Sequence, residues 1–330
     1  MLVTGASGLL GRVTAGALIE RGDEVTVLQR GSAGLEAAGV REVRGDVADA
    51  DVVHRAVAGQ DAVVHLAAKV DVVGPAADFE RANVEGTRVV LEACRAAGVG
   101  RLVHVSSPSV AHAGHPLVGV GAEPADPATA RGHYSRTKAE AELLALALDG
   151  PDLAVLAVRP HLVWGPGDTQ LVGRLVERAR AGRLPVIGSG AALIDTTYVD
   201  DAAAALVAAV DACAPDRAHG EALVVTGGEP RPVVEILERV CLAAGVAAPR
   251  LRLPVGVALA AGAAVDAVWS RTGRTDTPPL TRFLVEQLTT AHWFDQRRTR
   301  EVLGWTPAVG LDEGFRRLTD WYAAGSPGLG

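Results

Sequence analysis

Lysine is almost missing from this chain. Of its 330 residues 32 are basic, and only Lys69 and Lys138 among them are lysines. A compact ammonium and a planar guanidinium are not interchangeable, so an arginine-rich chain that keeps an amine draws the eye to those two positions. Cysteine is scarce too. Cys94, Cys213 and Cys241 are odd in number and widely spaced, with no CxxC pair, which leaves neither a disulfide framework nor a thiolate metal site and points to a reducing cytoplasm. There is no basic excess: a net charge of -7 argues against nucleic acid as the main partner. No integral membrane segment is expected. The nearest approach, Leu253 to Trp269, falls short of the ~20 apolar residues of a membrane-spanning helix and contains Asp266. It reads as a core helix or an apolar cap over a binding site, with peripheral membrane contact as the alternative. Residues 1–11 are too short and polar for a signal peptide and lack its basic start.

Apolar residues, glycine and alanine are abundant, and the length suits one large domain or two unequal ones. The first half alternates short β-branched runs with helical patterns. Strands are expected at Met1 to Val3, Glu24 to Leu28, Glu42 to Val43, Ala62 to His65, Leu102 to Val105 and Ala154 to Val158. Helices are expected at Leu9 to Glu20, Val52 to Ala58, Phe79 to Ala97 and His133 to Leu148. That order predicts an α/β protein with a doubly wound parallel sheet, the Rossmann dinucleotide-binding fold, over residues 1–160 with a returning segment near 194–228. After Arg159-Pro160, turn clusters such as Gly165-Pro166-Gly167-Asp168 break the pattern. Residues 161–193 and 229–330 are read as a smaller, mostly helical substrate-binding portion. Its helices are expected at Thr169 to Ala181, near 255 to 269 and at Asp312 to Tyr322, over the carboxyl ends of the strands.

The opening MLVTGASGLLG puts Gly5, Gly8 and Gly11 between the first strand and the first helix, where glycine lets the backbone approach a pyrophosphate that the helix N-terminus then holds. The second strand ends Val27-Leu28-Gln29-Arg30 with no carboxylate for an adenosine ribose. Gln29 stands where the acid of an NAD site is expected, and Arg30 can meet a 2′-phosphate, so NADP is favoured over NAD. Asp46-Val47 is placed to contact the adenine, although an Asp before a helix is also an ordinary N-cap.

Tyr134 and Lys138, in the run Tyr134-Ser135-Arg136-Thr137-Lys138, share a helix face. An ammonium there favours the phenolate; a phenol near pKa ~10 needs a shift of ~3 units to act as acid or base near neutral pH. Ser106-Ser107 emerges at the carboxyl end of the fifth strand, and Ser107 is the candidate donor to a substrate oxygen.

Together these residues resemble the extended short-chain dehydrogenase/reductases. The matches are TGASGLLG, Asp46-Val47, His65-Leu66-Ala67-Ala68, Asn83-Val84-Glu85-Gly86-Thr87, Ser106-Ser107, YSRTK, Arg159-Pro160 with Gly165-Pro166, Tyr198-Val199-Asp200-Asp201 and Leu303-Gly304-Trp305-Thr306-Pro307. Within that family the chain looks like the 3β-hydroxysteroid dehydrogenase branch, and SSPSV, RPHLVWGPGD and TRFLVEQLTTAHWFD are similar to the 2-alkyl-3-oxoalkanoate reductases of bacterial olefin synthesis. The resemblance implies that Tyr134 transfers the proton, Lys138 lowers its pKa and binds the nicotinamide ribose, and Ser107 orients the substrate oxygen. It implies a cofactor site of Gly5, Ser7, Gly8, Leu9, Leu10, Gly11, Gln29, Arg30, Asp46, Val47, Ala67, Ala68, Lys69, Asn83, Pro160 and His161 with Tyr134 and Lys138, and a homodimer through the helices at 79–97 and 133–148.

Other clusters carry plainer readings. His112 and His115 have a metal-like gap but sit in a Gly/Pro loop without a third ligand, so no metal is expected. Asp200-Asp201 is expected to cap the alanine-rich helix that follows. Lys69 is open to two readings, contact with a cofactor phosphate or substrate carboxylate, or solvent exposure. The resulting expectation is an NADPH-dependent reductase of a lipid-like β-keto acid. A sterol dehydrogenase, a nucleotide-sugar epimerase and a non-catalytic NADP-binding sensor are the alternatives.

Overall fold

The computed structural model describes residues 1–35, 39–71, 74–272, 278 and 280–326. Five short strands form first along the chain: β1 (Leu2–Thr4), β2 (Thr26–Gln29), β3 (Arg41–Arg44), β4 (Ala62–His65) and β5 (Arg101–Val105). Strand Ala154–Pro160 pairs with β5, and Glu221–Val225 pairs with Ala154–Pro160. The result is a seven-stranded parallel sheet in the order Glu221–Val225, Ala154–Pro160, β5, β4, β1, β2, β3. The fold is the doubly wound one expected. Because the sheet is covered on both faces, consecutive strand residues serve different layers. Val3, Val27, Val64, Val103 and Leu156 pack with α1 (Leu9–Glu20) and helix Val199–Ala212. Leu2, Leu28, Val63, Leu102 and Val155 pack with α2 (Ala50–Val57) and helices Gly86–Ala97 and Gly132–Ala147. Full burial of one such side chain contributes about 1.5–3 kcal/mol. The edge strand β3 differs, its Arg41 and Arg44 both exposed, as suits an edge that must not pair further.

The order reverses between β1 and β4, which opens a crevice above their carboxyl ends, the place where ligands bind such sheets. One wall of that crevice departs from expectation. Instead of a single helix from Phe79 to Ala97, a short helix Ala76–Phe79 runs into a π-helical turn, Glu80–Glu85, before α-helix resumes at Gly86. The widened turn carries Asn83 inward.

The second portion has its own core of Trp164, Tyr198, Leu237, Val240 and Phe315, built by helices Val172–Arg180, Val233–Ala243 and Leu311–Ala323. Small strands that periodicity does not reveal join it to the crevice. Leu117–Val120, His292–Phe294, Leu193–Ile194 and Arg231–Pro232 form a four-stranded sheet from segments up to 175 positions apart (Leu117 to His292).

One further expectation is corrected here. Asp200 and Asp201 do not cap helix Val199–Ala212: they lie in its first turn, and Tyr198 is the extended residue before it. Asp201 instead accepts from the backbone amides of Ala308 (2.8 Å) and Val309 (3.1 Å), and Asp200 pairs with Arg317 at 3.0 Å, so the acids tie down the C-terminal segment. The apolar stretch after Leu253 becomes helix Val255–Thr272, which packs beside helix Arg282–Thr289 and leaves Val255, Val257 and Val268 exposed. Gly262 makes the approach possible, since a Cβ there would lie 2.7 Å from the Arg282 amide nitrogen. No described helix is long and apolar enough to cross a membrane.

Candidate active site

The glycine turn is shaped by close contacts. Gly5 has φ +77°, and a Cβ on it would lie 2.8 Å from the Ala67 amide nitrogen; one on Gly11 would lie 2.4 Å from the Gly5 carbonyl oxygen. Neither position tolerates a side chain. Gly8 is different, with nothing nearer than the Gly5 carbonyl at 3.5 Å, so its missing side chain leaves room on the open side of the turn. Helix α1 starts there without a side-chain cap, its amides turned to the crevice with Ser7, Leu9 and Leu10 around them. A pyrophosphate fits this cradle in charge and in space.

At the carboxyl end of β2, Gln29 is buried and donates through Nε2 to Glu42 at 3.2 Å, while its Oε1 has no partner. Arg30 is exposed at the rim. Asp46 does not cap α2, a task Asp49 performs; its carboxylate accepts from the Ala48 amide (2.9 Å) and meets Arg81 at 3.4 Å. Arg12 and Arg81 therefore join Arg30 at this end of the cleft. Arg81 was not legible because its approach depends on the π-helical turn.

Helix Gly132–Ala147 delivers Tyr134 and Lys138. Lys138 is buried and its ammonium donates to the Val105 carbonyl at 2.5 Å. Burial lowers its pKa to about 8, against the pull of Glu142 one turn further on. Ser107 caps a 3-10 turn, Pro108–Ala111, and its Oγ accepts from Ser109 N (3.2 Å) and Ser109 Oγ (3.0 Å). Both lone pairs are thus engaged, and its own hydrogen is the one that it can give to Tyr134. Tyr134 is not shifted in the direction expected. Burial raises its pKa, and a hydrogen bond with Ser107 opposes the rise. Lys138 is not among the groups that act on it; its ammonium donates to the Val105 carbonyl. Beneath Lys138 lie His65, held between Thr4 (2.8 Å) and Thr87 (3.0 Å), and His104, 5.6 Å away ring to ring. Burial first, then the Lys138 charge, lowers both, His65 to about 3, so they stay neutral.

All the residues assigned from the sequence to chemistry or cofactor line one continuous cleft of about 1840 Å³, Ala67, Ala68, Pro160 and His161 included, with the exception of Asn83. Asn83 is 1% exposed and its amide is spent on protein: Oδ1 accepts from Lys69 N (2.7 Å), and Nδ2 donates to Lys69 O (3.2 Å) and Thr137 Oγ1 (3.0 Å). It is a positioning residue that ties the π-helical turn to the loop after β4 and to the Tyr134 helix. Lys69 itself donates to Asp71 at 3.1 Å and lies over the Phe79 ring at 5.3 Å, so its charge is met by a protein carboxylate.

The outer cleft is walled by Leu162, Leu175, Ile187, Leu253, Phe283 and Leu284. Helix Val255–Thr272 is not in that wall; it backs helix Arg282–Thr289, which is. His112, expected in an open loop, is 1% exposed and lines the inner cleft with His161 and His292. No cluster of metal-binding geometry occurs among the described residues.

A phosphate cradle under a parallel sheet, with a phenol and an amine one helical turn apart at the sheet's carboxyl edge, is the layout of a nicotinamide-dependent oxidoreductase. The model of the NAD dependent epimerase/dehydratase family matches residues 1–225, and the chain belongs to that family, the extended short-chain dehydrogenase/reductases. The chain is similar to the 2-alkyl-3-oxoalkanoate reductase of Stenotrophomonas maltophilia (strain K279a), with 44% identity over 96% of this chain and 98% of that one. The reductase of the same name from Shewanella oneidensis is 34% identical over 96% of this chain and 84% of its own length. Among solved structures, MoeE5 in complex with UDP-glucose and NAD superposes with a TM-score of 0.74 at 28% identity, covering 99% of each chain. The protein is an NAD(P)-dependent oxidoreductase.

Proposed function

We propose that the chain reduces a long-chain 2-alkyl-3-oxoalkanoate to the 3-hydroxy acid, with NADPH as cofactor. The observation that carries this reading is the cleft itself, which joins Ser107, Tyr134 and Lys138 at its inner end to an aliphatic wall of Leu162, Leu175, Ile187 and Phe283 at its outer end. A branched hydrocarbon suits that wall, and a sugar diphosphate does not. The similarity to two reductases of that name supports the same substrate class.

The cleft residues would hold NADPH, which when bound would supply a hydride for the ketone carbon. Ser107 turns its hydrogen from Tyr134 to the ketone oxygen when substrate binds and fixes that oxygen's position. Tyr134, whose raised pKa keeps the phenol protonated at neutral pH, gives that oxygen its proton as negative charge develops. Lys138, with hydrogens beyond the one given to Val105, would hold the nicotinamide ribose. The preference for NADPH rests on Gln29 in place of a carboxylate and on Arg30 at the rim. Residues 161–193 and 229–330 make up the substrate side, two copies associate through the helices at 79–97 and 133–148, and the enzyme works in the cytoplasm, where its three cysteines remain thiols.

The test is a substrate panel followed by NADP(H) absorbance. Each buried methylene is worth ~0.8 kcal/mol, or about fourfold in kcat/KM, until the wall is filled. Long-chain 2-alkyl-3-hydroxy acids with NADP should outperform 3β-hydroxysteroids, and UDP-sugars should give nothing. Faster steroid oxidation moves the chain to the sterol class, and epimerised UDP-sugar overturns the lipid reading.

A further inference from the structure

Three histidines from distant segments meet on the substrate side of the cleft. His112 ends the 3-10 turn that Ser107 caps, His161 follows strand Ala154–Pro160 directly, and His292 opens a strand of the small sheet. The rings of His112 and His292 are 5.0 Å apart and those of His161 and His292 5.9 Å. They are 1%, 7% and 2% exposed, yet all line the cleft.

Their hydrogen bonds fix where the ring protons lie. His161 Nδ1 faces the Asp195 carbonyl at 2.5 Å; a carbonyl only accepts, so Nδ1 carries the hydrogen. His292 Nε2 faces Thr290 Oγ1 at 2.8 Å, and that hydroxyl donates to the Glu286 carbonyl at 2.7 Å, so Nε2 is the donor here as well. In the neutral ring His292 Nδ1 is then a bare lone pair, and it has no partner. Neither nitrogen of His112 has one; the His115 backbone comes near without completing a hydrogen bond. Unpaired polar atoms buried at the wall of a cleft mark a place shaped for a ligand.

The position suits one end of the substrate. Val105 of β5 pairs with Val158 and the Ser106 amide donates to the Val158 carbonyl at 2.6 Å, so Ser107 and His161 leave neighbouring strands at the same end of the sheet. In a β-keto acid only one carbon separates the ketone from the carboxyl group. We infer that His112, His161 and His292 form a carboxylate subsite that holds the acid group beside Ser107 and Tyr134, and that the acid binds together with one proton. The inference rests on the β-keto acid reading above. The proton follows from the tautomers: a carboxylate has no hydrogen to offer bare lone pairs, and one added proton turns a second ring into a donor toward it.

The surrounding charges agree. Burial lowers the pKa of His112 most, the Glu286 carboxylate, itself paired with Arg282 at 3.0 Å, raises it, and Arg131 at the cleft edge lowers it. The Asp195 carboxylate is turned away, to Thr226 and the Gly228 amide. Burial holds His161 at about 4 and His292 at about 3, with mutual repulsion among the histidines adding to it, so the free site is neutral at pH 7.

The experiment compares a long-chain 2-alkyl-3-hydroxy acid with its methyl ester, both as substrates with NADP and as ligands of the NADPH-loaded enzyme. Wild type should bind the acid at least tenfold more tightly than the ester and take up close to one proton per acid bound, measured by calorimetry in buffers of different ionisation enthalpy. The acid-to-ester ratio of kcat/KM should fall as pH rises from 6 to 8, by up to tenfold per unit. His112→Phe and His292→Phe should raise KM for the acid tenfold or more and leave the ester and NADPH binding unchanged. His112→Gln, which keeps a donor and an acceptor but cannot take the proton, should retain part of the affinity and lose the uptake. If acid and ester react equally well, or bind without proton uptake, or if the variants weaken both alike, the subsite is wrong and the reductase reading stands. If neither compound is bound or turned over, that reading fails, and the subsite with it.

Discussion

Arg159 and Glu142 form a two-point ion pair, Nε to Oε2 at 2.8 Å and Nη2 to Oε1 at 2.5 Å, with only 2% and 1% of their side chains exposed. Nη1 of Arg159 also donates to the Glu123 carbonyl at 2.6 Å. This clamp joins the Tyr134 helix to strand Ala154–Pro160, and with it the proton donor to the segment that leads into His161. A buried pair is costly to break because the surviving charge has no water to replace its partner. Glu142→Gln should therefore destabilise the fold by about 3–5 kcal/mol in chemical denaturation. Replacing both residues by leucine should recover much of that loss; equal damage from single and double variants would mean the pair is not the cause.

Tyr134→Phe should abolish turnover and leave NADPH binding nearly unchanged, since it removes the transferable proton and little contact. Lys138→Arg should also be inactive, because a planar fork does not fit the space between Val105 and the ribose site. NADPH fluorescence titration alongside steady-state rates checks both. Substantial activity in Tyr134→Phe would sink the mechanism.

Arg30→Ala should weaken NADPH by about 1–3 kcal/mol and spare NADH, which has no 2′-phosphate for the guanidinium to meet. Dissociation constants for both cofactors decide it. An equal loss for each would mean that Arg12 or Arg81 carries the discrimination instead.

Lys138 sets a pH dependence of defined sign. Its pKa is lowered from 10.5 to about 8 by burial, so between those values the unfolded chain binds the proton and the folded one does not. Stability from this group therefore rises as pH goes from about 8 toward 10.5, and the penalty for burying the ammonium is fully present below 8. Lys138→Met should be more stable than wild type at pH 7, with the difference shrinking above pH 8. Thermal unfolding across that range gives the answer, and a difference that grows with pH would contradict it.

The sheet was legible because buried parallel strands are short, β-branched and bounded by glycine turns, as Ala62–His65 and the Gly5 turn show. The Tyr134 and Lys138 pair was legible because a helix places residues four apart on one face whatever surrounds it. These are local rules, settled by a few neighbouring residues. The two-residue strands carry too few residues for a period to register, so pairing partners alone define them.

Tertiary structure decided the rest, because burial and hydrogen-bond supply depend on what arrives from elsewhere in the chain. Asn83 became a clamp only when a π-helical turn faced it toward Lys69 and Thr137. Tyr134 rose in pKa rather than falling because burial of the phenol outweighs its hydrogen bond with Ser107. His112, in its expected loop, is buried against the cleft because strand Leu117–Val120 pairs with His292–Phe294, which draws two histidines 180 positions apart to within 5.0 Å. The sequence by itself determined the parallel sheet, the phosphate cradle and the spacing of phenol and amine. Which of those groups is charged, and what faces them across the cleft, followed from long-range packing, since desolvation is a property of the folded whole.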